Sequence, residues 1–216
     1  IITPSEKEKE IISQLSTSFR VSTIPLFYYK KVEMHIEDFS NRKHIMFVGG
    51  FNHLPNKDAV LWFIKEIWPT VKESISDIHL IIAGSNVPAE IANLKDSDII
   101  IKGYVTDTEL EVLYKQVRAI VIPLRYGAGV KGKLLEAMYN GIPIITTSEG
   151  VEGMPGNISF LKATDDSKTF ADRLVELYTN EEALIQCSKA NINYINTHFT
   201  KAIAEAVISD LFSKNY

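Results

Sequence analysis

Residues 119–147 read AIVIPLRYGAGVKGKLLEAMYNGIPIITT, and this stretch decides the fold. It opens with an apolar run, Ala119 to Pro123, of strand length and composition. A loop with three glycines and three cations follows, and then a short helix predicted over Lys133 to Asn140, which Gly141 and Pro143 end. A second apolar run closes the unit. A glycine-rich turn between a strand and a helix directs backbone N–H groups at one point, where the helix dipole adds partial positive charge. The stretch therefore predicts a phosphate site.

The sequence of the loop fits more than one phosphate-binding motif. Gly127, Gly129 and Gly132 match the dinucleotide fingerprint G-x-G-x-x-G, whereas Gly127, Gly132 and Lys133 match most of the P-loop. The P-loop interpretation fails at Leu134, because the hydroxyl that would bind magnesium is missing. The dinucleotide interpretation remains as an alternative, although such a fingerprint normally opens its domain and here most of the strand–helix units precede it.

Glu136 is the residue that could distinguish between these interpretations of the loop. It is expected in the first turn of the predicted helix, where the dipole stabilises a carboxylate and the side chain can face the loop. There it could accept both hydroxyls of a ribose whose phosphates rest on the loop. Its spacing equally fits a glutamate that only caps the helix at the third position. In the dinucleotide alternative, the acid that holds the ribose would be Glu149 or Glu152. Spacing alone leaves these interpretations open.

Strand and helix patterns alternate along most of the chain. The alternation predicts an α/β fold with a doubly wound, Rossmann-like parallel sheet, whose ligands bind beyond the carboxyl ends of the strands. Gly50, Gly84, Gly103 and Arg125 each follow a predicted strand, so we expect them to converge on one rim. Further predicted strands cover residues 45–48, 78–83, 99–101 and 159–161, and Thr106 and Glu109 predict a capping box for the helix between 109 and 116.

Three segments, in this order along the chain, resemble the C-terminal, donor-binding domain of family-4 glycosyltransferases of the GT-B fold. They are FVGGFNHLPNKDAVLWF (47–63), GYVTDTELEVLY (103–114) and PLRYGAGVKGKLLEAMYNGIPIITT (123–147). The resemblance implies that Glu136 holds the ribose of a nucleotide sugar, that the glycine loop holds the diphosphate and that Gly103 and Tyr104 border the nucleobase. Two departures stand out. Ala128 occupies a position where the family usually has a glutamate, and the family's arginine and lysine after the first strand are absent from the loop at 50–53.

The same resemblance implies a reaction and a set of site residues. The reaction is retaining transfer of a sugar from a nucleoside-diphosphate sugar to an acceptor hydroxyl, with no metal or other cofactor required. Arg125 and Lys131 are expected to stabilise the departing diphosphate. Together with Lys133 they would supply the positive charge of the family's arginine and lysine, which are absent from the loop at 50–53. The expected donor-binding residues are Gly50, Gly103, Tyr104, Gly127, Gly129, Val130, Gly132, Lys133 and Glu136.

The resemblance also predicts a division of the chain. Residues 1–43 would be the tail of an N-terminal acceptor-binding domain plus a linker, residues 44–190 the nucleotide-sugar-binding domain, and residues 191–216 a C-terminal helix that crosses back. An N-terminal extension packed on a complete small domain is the alternative for residues 1–43. The implied partners are a nucleotide-sugar donor and a glycan or lipid-linked acceptor. The implied location is the cytoplasm, with peripheral association at the inner face of the membrane during envelope polysaccharide synthesis.

The composition of the chain argues against several other classes of function. The 216 residues are 45% hydrophobic with a net charge of −4, which argues against a general nucleic-acid surface. No apolar run approaches the roughly 18–20 residues of a membrane span. A single cysteine, Cys187, excludes an internal disulfide, and the five histidines show no metal-site spacing. An NAD(P)-dependent oxidoreductase and a non-catalytic nucleotide-sugar-binding module remain as alternative functions.

Overall fold

A small βαβ unit comes first in the computed structural model, which describes residues 1–15, 18, 20–25, 29–33, 38–94 and 96–213. Strand β1 (Ile2–Thr3) and strand β2 (Ser22–Thr23) pair in parallel, and helix α1 (Glu6–Leu15) connects them. None of the residues of α1 is buried, and the side chains of Ile11 and Leu15 are exposed. Among the residues that the structure describes, this unit shares no strand pairing with the main sheet. The predicted tail and linker at residues 1–43 fall partly on residues 16–17, 19, 26–28 and 34–37, which lie outside the described residues.

The main sheet has five parallel strands in the order β5-β4-β3-β6-β7. They are β3 (Lys43–Val48), β4 (Leu80–Ala83), β5 (Ile99–Gly103), β6 (Val117–Ile122) and β7 (Ile144–Thr146). The chain therefore winds outward from β3 in one direction and then returns to place β6 on its other side. This order confirms the predicted doubly wound sheet, and its switch point lies between β3 and β6.

Helices cover the sheet on both faces. After β3 come α2 (Leu54–Trp62), a π-helical turn (Phe63–Ile67) and α3 (Trp68–Ser74). The remaining helices are α4 (Ala89–Ala92), α5 (Asp107–Gln116), α6 (Gly132–Tyr139), α7 (Ser167–Thr179), α8 (Glu181–His198) and α9 (Lys201–Ser213).

Continuous apolar strands make the core. All four residues of β4 are buried, as are five of the six in β6, because helices pack on both faces of a parallel sheet. Each buried isoleucine or leucine contributes about 1.5–3 kcal/mol relative to an exposed one. The ends of the helices are also specified locally. Thr106 and Glu109 form the predicted capping box at α5, and the Asp166 side chain accepts from the Thr169 N–H at α7.

The strand predicted at residues 159–161 is wrong. Ser159–Leu161 forms a 3-10 turn, because the Asn157 side chain accepts from the Ser159 N–H at 2.9 Å and Lys162 takes a left-handed conformation with φ 48°. Where a further strand was expected beside β7, a side chain and a loop N–H donate to carbonyls in and just before this strand. The Asn191 side chain donates to the carbonyl of Ile142 at 2.7 Å, and the Thr164 N–H donates to that of Thr146 at 3.1 Å.

The predicted boundary between residues 190 and 191 falls inside α8, which is one continuous helix. The break in the chain comes later, at Phe199 and Thr200, before α9. Of the residues of α9, only Ala204 is buried. The Tyr29 N–H donates to the carbonyl of Phe199, so this junction contacts the segment that precedes the main sheet.

Candidate active site at the switch point

The crevice between the carboxyl ends of β3 and β6 is where a doubly wound sheet binds its ligand. Gly49 and Gly50 follow β3 on one side of the crevice. On the other side, the chain leaves β6 through Pro123 and enters the glycine loop before α6. The sequence prediction placed the phosphate loop and Gly50 on one rim, and the sheet order brings them to opposite sides of the same crevice.

Lys133 crosses this crevice. It is the second residue of α6, and its ammonium group donates to the Asn56 side-chain oxygen and lies 4.5 Å from the centre of the Phe47 ring. A Cβ atom added to Gly49 would lie 2.6 Å from Lys133 Nζ and 2.8 Å from Asn56 Nδ2, so a larger residue there would require these side chains to shift. Burial lowers the pKa of Lys133 to about 7, and the positive charge of Lys131 contributes further. An anion in the crevice would satisfy this desolvated cation.

Asn56 connects the two sides of the crevice, and the sequence analysis did not identify it. This buried residue lies in the first turn of α2. Its amide nitrogen donates to the carbonyl of Gly50 at 2.7 Å while its oxygen accepts from Lys133. In the sequence, Asn56 is a polar residue near the start of a predicted helix. An ordinary helix cap has the same pattern, so nothing in the sequence singled it out.

The glycine loop requires the conformations that only glycine adopts freely. Gly127 has φ 154° and Gly129 has φ 71°. Gly132 is the first residue of α6, with Lys131 as its N-cap residue but no side-chain cap. The first N–H groups of a helix have no partner within the helix, so those of α6 point toward the loop. Val130 packs beside Gly153, whose added Cβ would lie 3.2 Å from its methyl group.

Glu136 lies in the second turn of α6, one turn later than predicted. The helix begins at Gly132, and its first turn contains no acidic residue, so the capping alternative for Glu136 is wrong. The residue is exposed, but desolvation of its carboxyl group and, second, the negative charge of Asp107 raise its pKa. The Glu136 carboxylate also raises the pKa of Tyr29 and Tyr114, in addition to their burial. The Glu136 carboxylate therefore lies within electrostatic range of Asp107, Tyr114 and Tyr29.

Gly103 is the last residue of β5, and Tyr104 follows it in the loop that leads to α5. Gly103 has φ 66°, and an added Cβ atom would meet no heavy atom within 4 Å, so this backbone is open to a ligand. The Tyr104 ring is 75% exposed. The carbonyl of Gly103 accepts from the Gly84 N–H at 2.7 Å, which ties this corner to the end of β4.

Arg125 and Lys131 are already engaged by carboxylates. Arg125 forms a bidentate ion pair with Asp58 of α2, in which Nε lies 2.9 Å from Oδ2, and its guanidinium lies 5.7 Å from the centre of the Trp62 ring. Lys131 Nζ lies 2.8 Å from Glu149 Oε1 and 3.2 Å from Glu152 Oε2. Sequence reasoning did not foresee either pairing, since the partners come from distant segments.

Among the described residues, no group of three or more histidine, cysteine, aspartate or glutamate side chains is arranged to hold a metal ion. No helix in the same part of the chain combines the length and the hydrophobicity needed to cross a bilayer.

The fold and the crevice define a Rossmann-like α/β domain with a cationic, glycine-lined switch point. Residues 42–180 match the profile of the family described as "Glycosyl transferases group 1", so the chain belongs to this family. One curated relative, an uncharacterized 44.6 kDa protein in the cps region of Klebsiella pneumoniae, is 26% identical over 197 residues. The match covers 88% of this chain and 48% of that protein.

Solved glycosyltransferases share the fold. A TarM variant from S. aureus, crystallised with UDP, has a TM-score of 0.76 at 16% identity, covering 98% of this chain and 43% of that one. Sucrose-phosphate synthase from Thermosynechococcus elongatus gives 0.69 at 16% identity, covering 99% and 57%. The C-terminal domain of LpcC from Francisella tularensis gives 0.59 at 18% identity, covering 74% and 88%. The architecture is that of the C-terminal half of a GT-B glycosyltransferase, and the chain spans about half the length of the curated relative.

Proposed function

We propose that this chain supplies the donor-binding half of a retaining glycosyltransferase. The donor is a nucleoside-diphosphate sugar, bound at the switch-point crevice between β3 and β6. The observation that carries the proposal is Lys133, a half-buried lysine whose ammonium lies against Asn56 and Phe47 without a carboxylate partner among the described contacts. A buried cation is costly unless it is paired, and a diphosphate is the anion that a glycine loop and a helix N-terminus also favour.

The diphosphate is placed between Lys133 and the amides of the loop from Gly127 to Gly132. Arg125 and Lys131 add positive charge near this position, but each is bound to carboxylates in the structure described here. They could contact phosphate only by releasing Asp58 or the two glutamates. Lys133 and the backbone amides therefore provide the first contacts to the diphosphate, and we assign Arg125 to the later stabilisation of the departing group, while Lys131 stays paired with its two glutamates.

The nucleoside is placed toward α5. Glu136 accepts the ribose hydroxyls in this proposal, because its carboxylate is close enough to Asp107 of α5 for the two charges to interact and is partly exposed. The exposed Tyr104 ring borders the nucleobase. Charge-assisted hydrogen bonds from two hydroxyls to one carboxylate contribute roughly 1.5–3 kcal/mol each.

Transfer then follows the route that the family resemblance implies. The bond between the anomeric carbon and the diphosphate oxygen breaks, and the acceptor hydroxyl oxygen bonds to that carbon on the same face. The hydroxyl proton leaves with the departing diphosphate, so the configuration is retained and no redox change occurs. The protein's contributions are positioning and electrostatic stabilisation, and the proposal includes no metal ion.

The acceptor, a glycan or lipid-linked hydroxyl, is assigned to a second domain. The βαβ unit at residues 2–23 supports this assignment, because its two strands belong to a separate sheet and α1 exposes an apolar face. The exposed helix α9, beside this unit, fits the predicted crossing back between domains. Two similarities suggest an envelope polysaccharide pathway at the inner face of the membrane. The curated relative lies in a cps region, and the WaaG structure, with a TM-score of 0.66 at 15% identity over 95% of this chain and 60% of that one, is of a glycosyltransferase involved in lipopolysaccharide biosynthesis.

Isothermal titration with uridine, guanosine and adenosine diphosphates tests the proposal. We expect one of them to bind, and Glu136→Gln to weaken that binding by about 10-fold or more, the effect of losing one charge-assisted bond. Glu73→Gln, at an exposed glutamate on α3 away from the crevice, is the matched control and should bind like the wild type. Absence of binding to all three diphosphates, or equal binding by Glu136→Gln, would defeat the proposal.

The two alternative functions predict other outcomes. A nicotinamide cofactor that raises the melting temperature, where nucleoside diphosphates do nothing, would indicate an oxidoreductase. The family match favours the glycosyltransferase over it. Protein that binds a nucleotide sugar but, with its acceptor domain present, neither transfers nor hydrolyses it would indicate a non-catalytic binding module.

A further inference from the structure

Lys131 is the centre of an ion cluster beside the glycine loop. Its ammonium contacts Glu149 Oε1 at 2.8 Å, Glu152 Oε2 at 3.2 Å and the carbonyl of Gly129 at 2.8 Å. An ammonium group has three N–H donors, and these three acceptors use all of them. The Lys131 side chain is only 9% exposed. In this arrangement Lys131 fixes two carboxylates and has no N–H left for a phosphate.

The two glutamates occupy different positions relative to the loop. Glu149 is the first residue of the 3-10 turn after β7, at the carboxyl edge of the sheet, and its Oε1 lies 3.4 Å from the Cβ position of Gly127. Glu152 is turned toward α1, where it accepts from Lys7. That contact, together with Lys131, lowers the pKa of Glu152 to about 2, so this carboxylate stays ionised.

The cluster places a carboxylate beside Gly127, in the loop on which the diphosphate rests in the proposed function. A carboxylate repels a diphosphate, so a ligand whose phosphates rest on the loop can meet Glu149 only through groups that donate hydrogen bonds. Sugar hydroxyls are such donors, and a carboxylate accepts them with charge-assisted bonds. Of the groups that meet the Cβ position of Gly127, the Glu149 oxygen is the nearest and the only acceptor, and the neighbouring Ala128 contributes none.

We infer that Glu149 is the residue that recognises the hydroxyls of the donor sugar. Lys131 and Glu152 are positioning residues: Lys131 fixes the orientation of the Glu149 carboxylate, and Glu152 shares that lysine while it is held from the other side by Lys7. The inference rests on the proposed function and adds the group that distinguishes a nucleotide sugar from the bare nucleoside diphosphate.

The test compares two ligands on matched variants. Isothermal titration measures the dissociation constants of the best-binding nucleoside diphosphate and of its glucose, galactose and N-acetylglucosamine derivatives. For Glu149→Gln we expect the diphosphate to bind within about twofold of the wild type, while the best nucleotide sugar binds at least about tenfold more weakly, the effect of one charge-assisted bond. Glu73→Gln should change neither value.

Three further outcomes keep the inference separable from the proposed function. Glu149→Asp keeps the charge but withdraws the carboxylate, so it should lose the same discrimination even if Glu149→Gln folds poorly, as checked by its melting temperature. Equal changes for the two ligands, or no change for either, would overturn the role of Glu149 and leave the proposed function standing. Wild-type protein that binds no nucleoside diphosphate would overturn both.

Discussion

Replacing Lys133 with methionine is expected to remove a pH dependence from both the stability and the ligand affinity of the protein. Lys133 is half-buried against Asn56 and the Phe47 ring, and this burial lowers its pKa from 10.5 to about 7. Methionine keeps an unbranched side chain of similar length in the same space without a titrating group.

The direction in which stability changes with pH follows from proton binding by Lys133 in the folded and unfolded states. Between about pH 7 and the unfolded value of 10.5, the unfolded chain keeps the lysine proton and the folded chain does not. The stability of the wild type therefore rises with pH across this window, by at most about 1.4 kcal/mol per pH unit. From about pH 7 to about pH 9, the gain relative to Lys133→Met is at most about 2.7 kcal/mol. Below this window the burial penalty is fully present, and the variant should be the more stable protein.

Ligand affinity should change in the opposite direction. A diphosphate favours the protonated lysine, so binding above about pH 7 takes up a proton, and the wild-type dissociation constant should rise up to about tenfold per pH unit. Lys133→Met should bind weakly at every pH. Lys133→Arg, which cannot lose its proton, should bind without this slope if the longer side chain fits.

Urea unfolding and isothermal titration at several pH values between about 6 and about 9 measure both effects. The difference between wild type and Lys133→Met cancels the other groups that titrate in this range. Stability curves that run parallel for the two proteins, together with diphosphate affinities that share one pH slope, would refute the reasoning about Lys133.

Three other changes follow from single contacts. Gly49→Ala places a Cβ atom 2.6 Å from Lys133 Nζ, so it should displace the lysine, weaken diphosphate binding about as much as Lys133→Met and abolish the pH slope; an unchanged titration would contradict this placement. Thr106→Ala removes the capping box of α5 and should cost about 1 kcal/mol, or about 2–4 °C in melting temperature by calorimetry, whereas an unchanged melting temperature would show that the cap is dispensable. His44 accepts from the His79 N–H at 3.1 Å, and burial lowers its pKa below 6.5. Wild-type stability should therefore fall more than that of His44→Asn as pH drops below about 6.5 in urea titrations, and equal declines would exclude this group.

Much of the architecture was readable from local patterns. Apolar runs of strand length predicted the five strands of the main sheet to within a few residues, and Thr106 with Glu109 predicted the start of α5. Residues 159–161 failed because a short apolar run fits a strand or a helical turn equally well, and a side chain at Asn157 decided between them. The sequence predicted a doubly wound parallel sheet but not the order of its strands, since pairing between distant strands leaves no local signal.

The candidate site was predicted less completely than the fold. The glycine loop was predicted from motif spacing, because such spacing records backbone geometry, whereas the role of Glu136 came from the family resemblance and stays a prediction. The ion pairs of Arg125 with Asp58 and of Lys131 with Glu149 were missed because each joins segments that only the folded sheet brings together. These pairings matter for function, since they leave Lys133 as the cation best placed for the diphosphate.

A crystal structure of the protein with its best-binding nucleoside diphosphate would test the central claim most directly. The account predicts a diphosphate within hydrogen-bonding distance of Lys133 Nζ and the amides between Gly127 and Gly132, with both ribose hydroxyls on the Glu136 carboxylate. A nucleotide bound elsewhere, or one that leaves Glu136 in solvent and Lys133 unchanged beside Asn56, would contradict it.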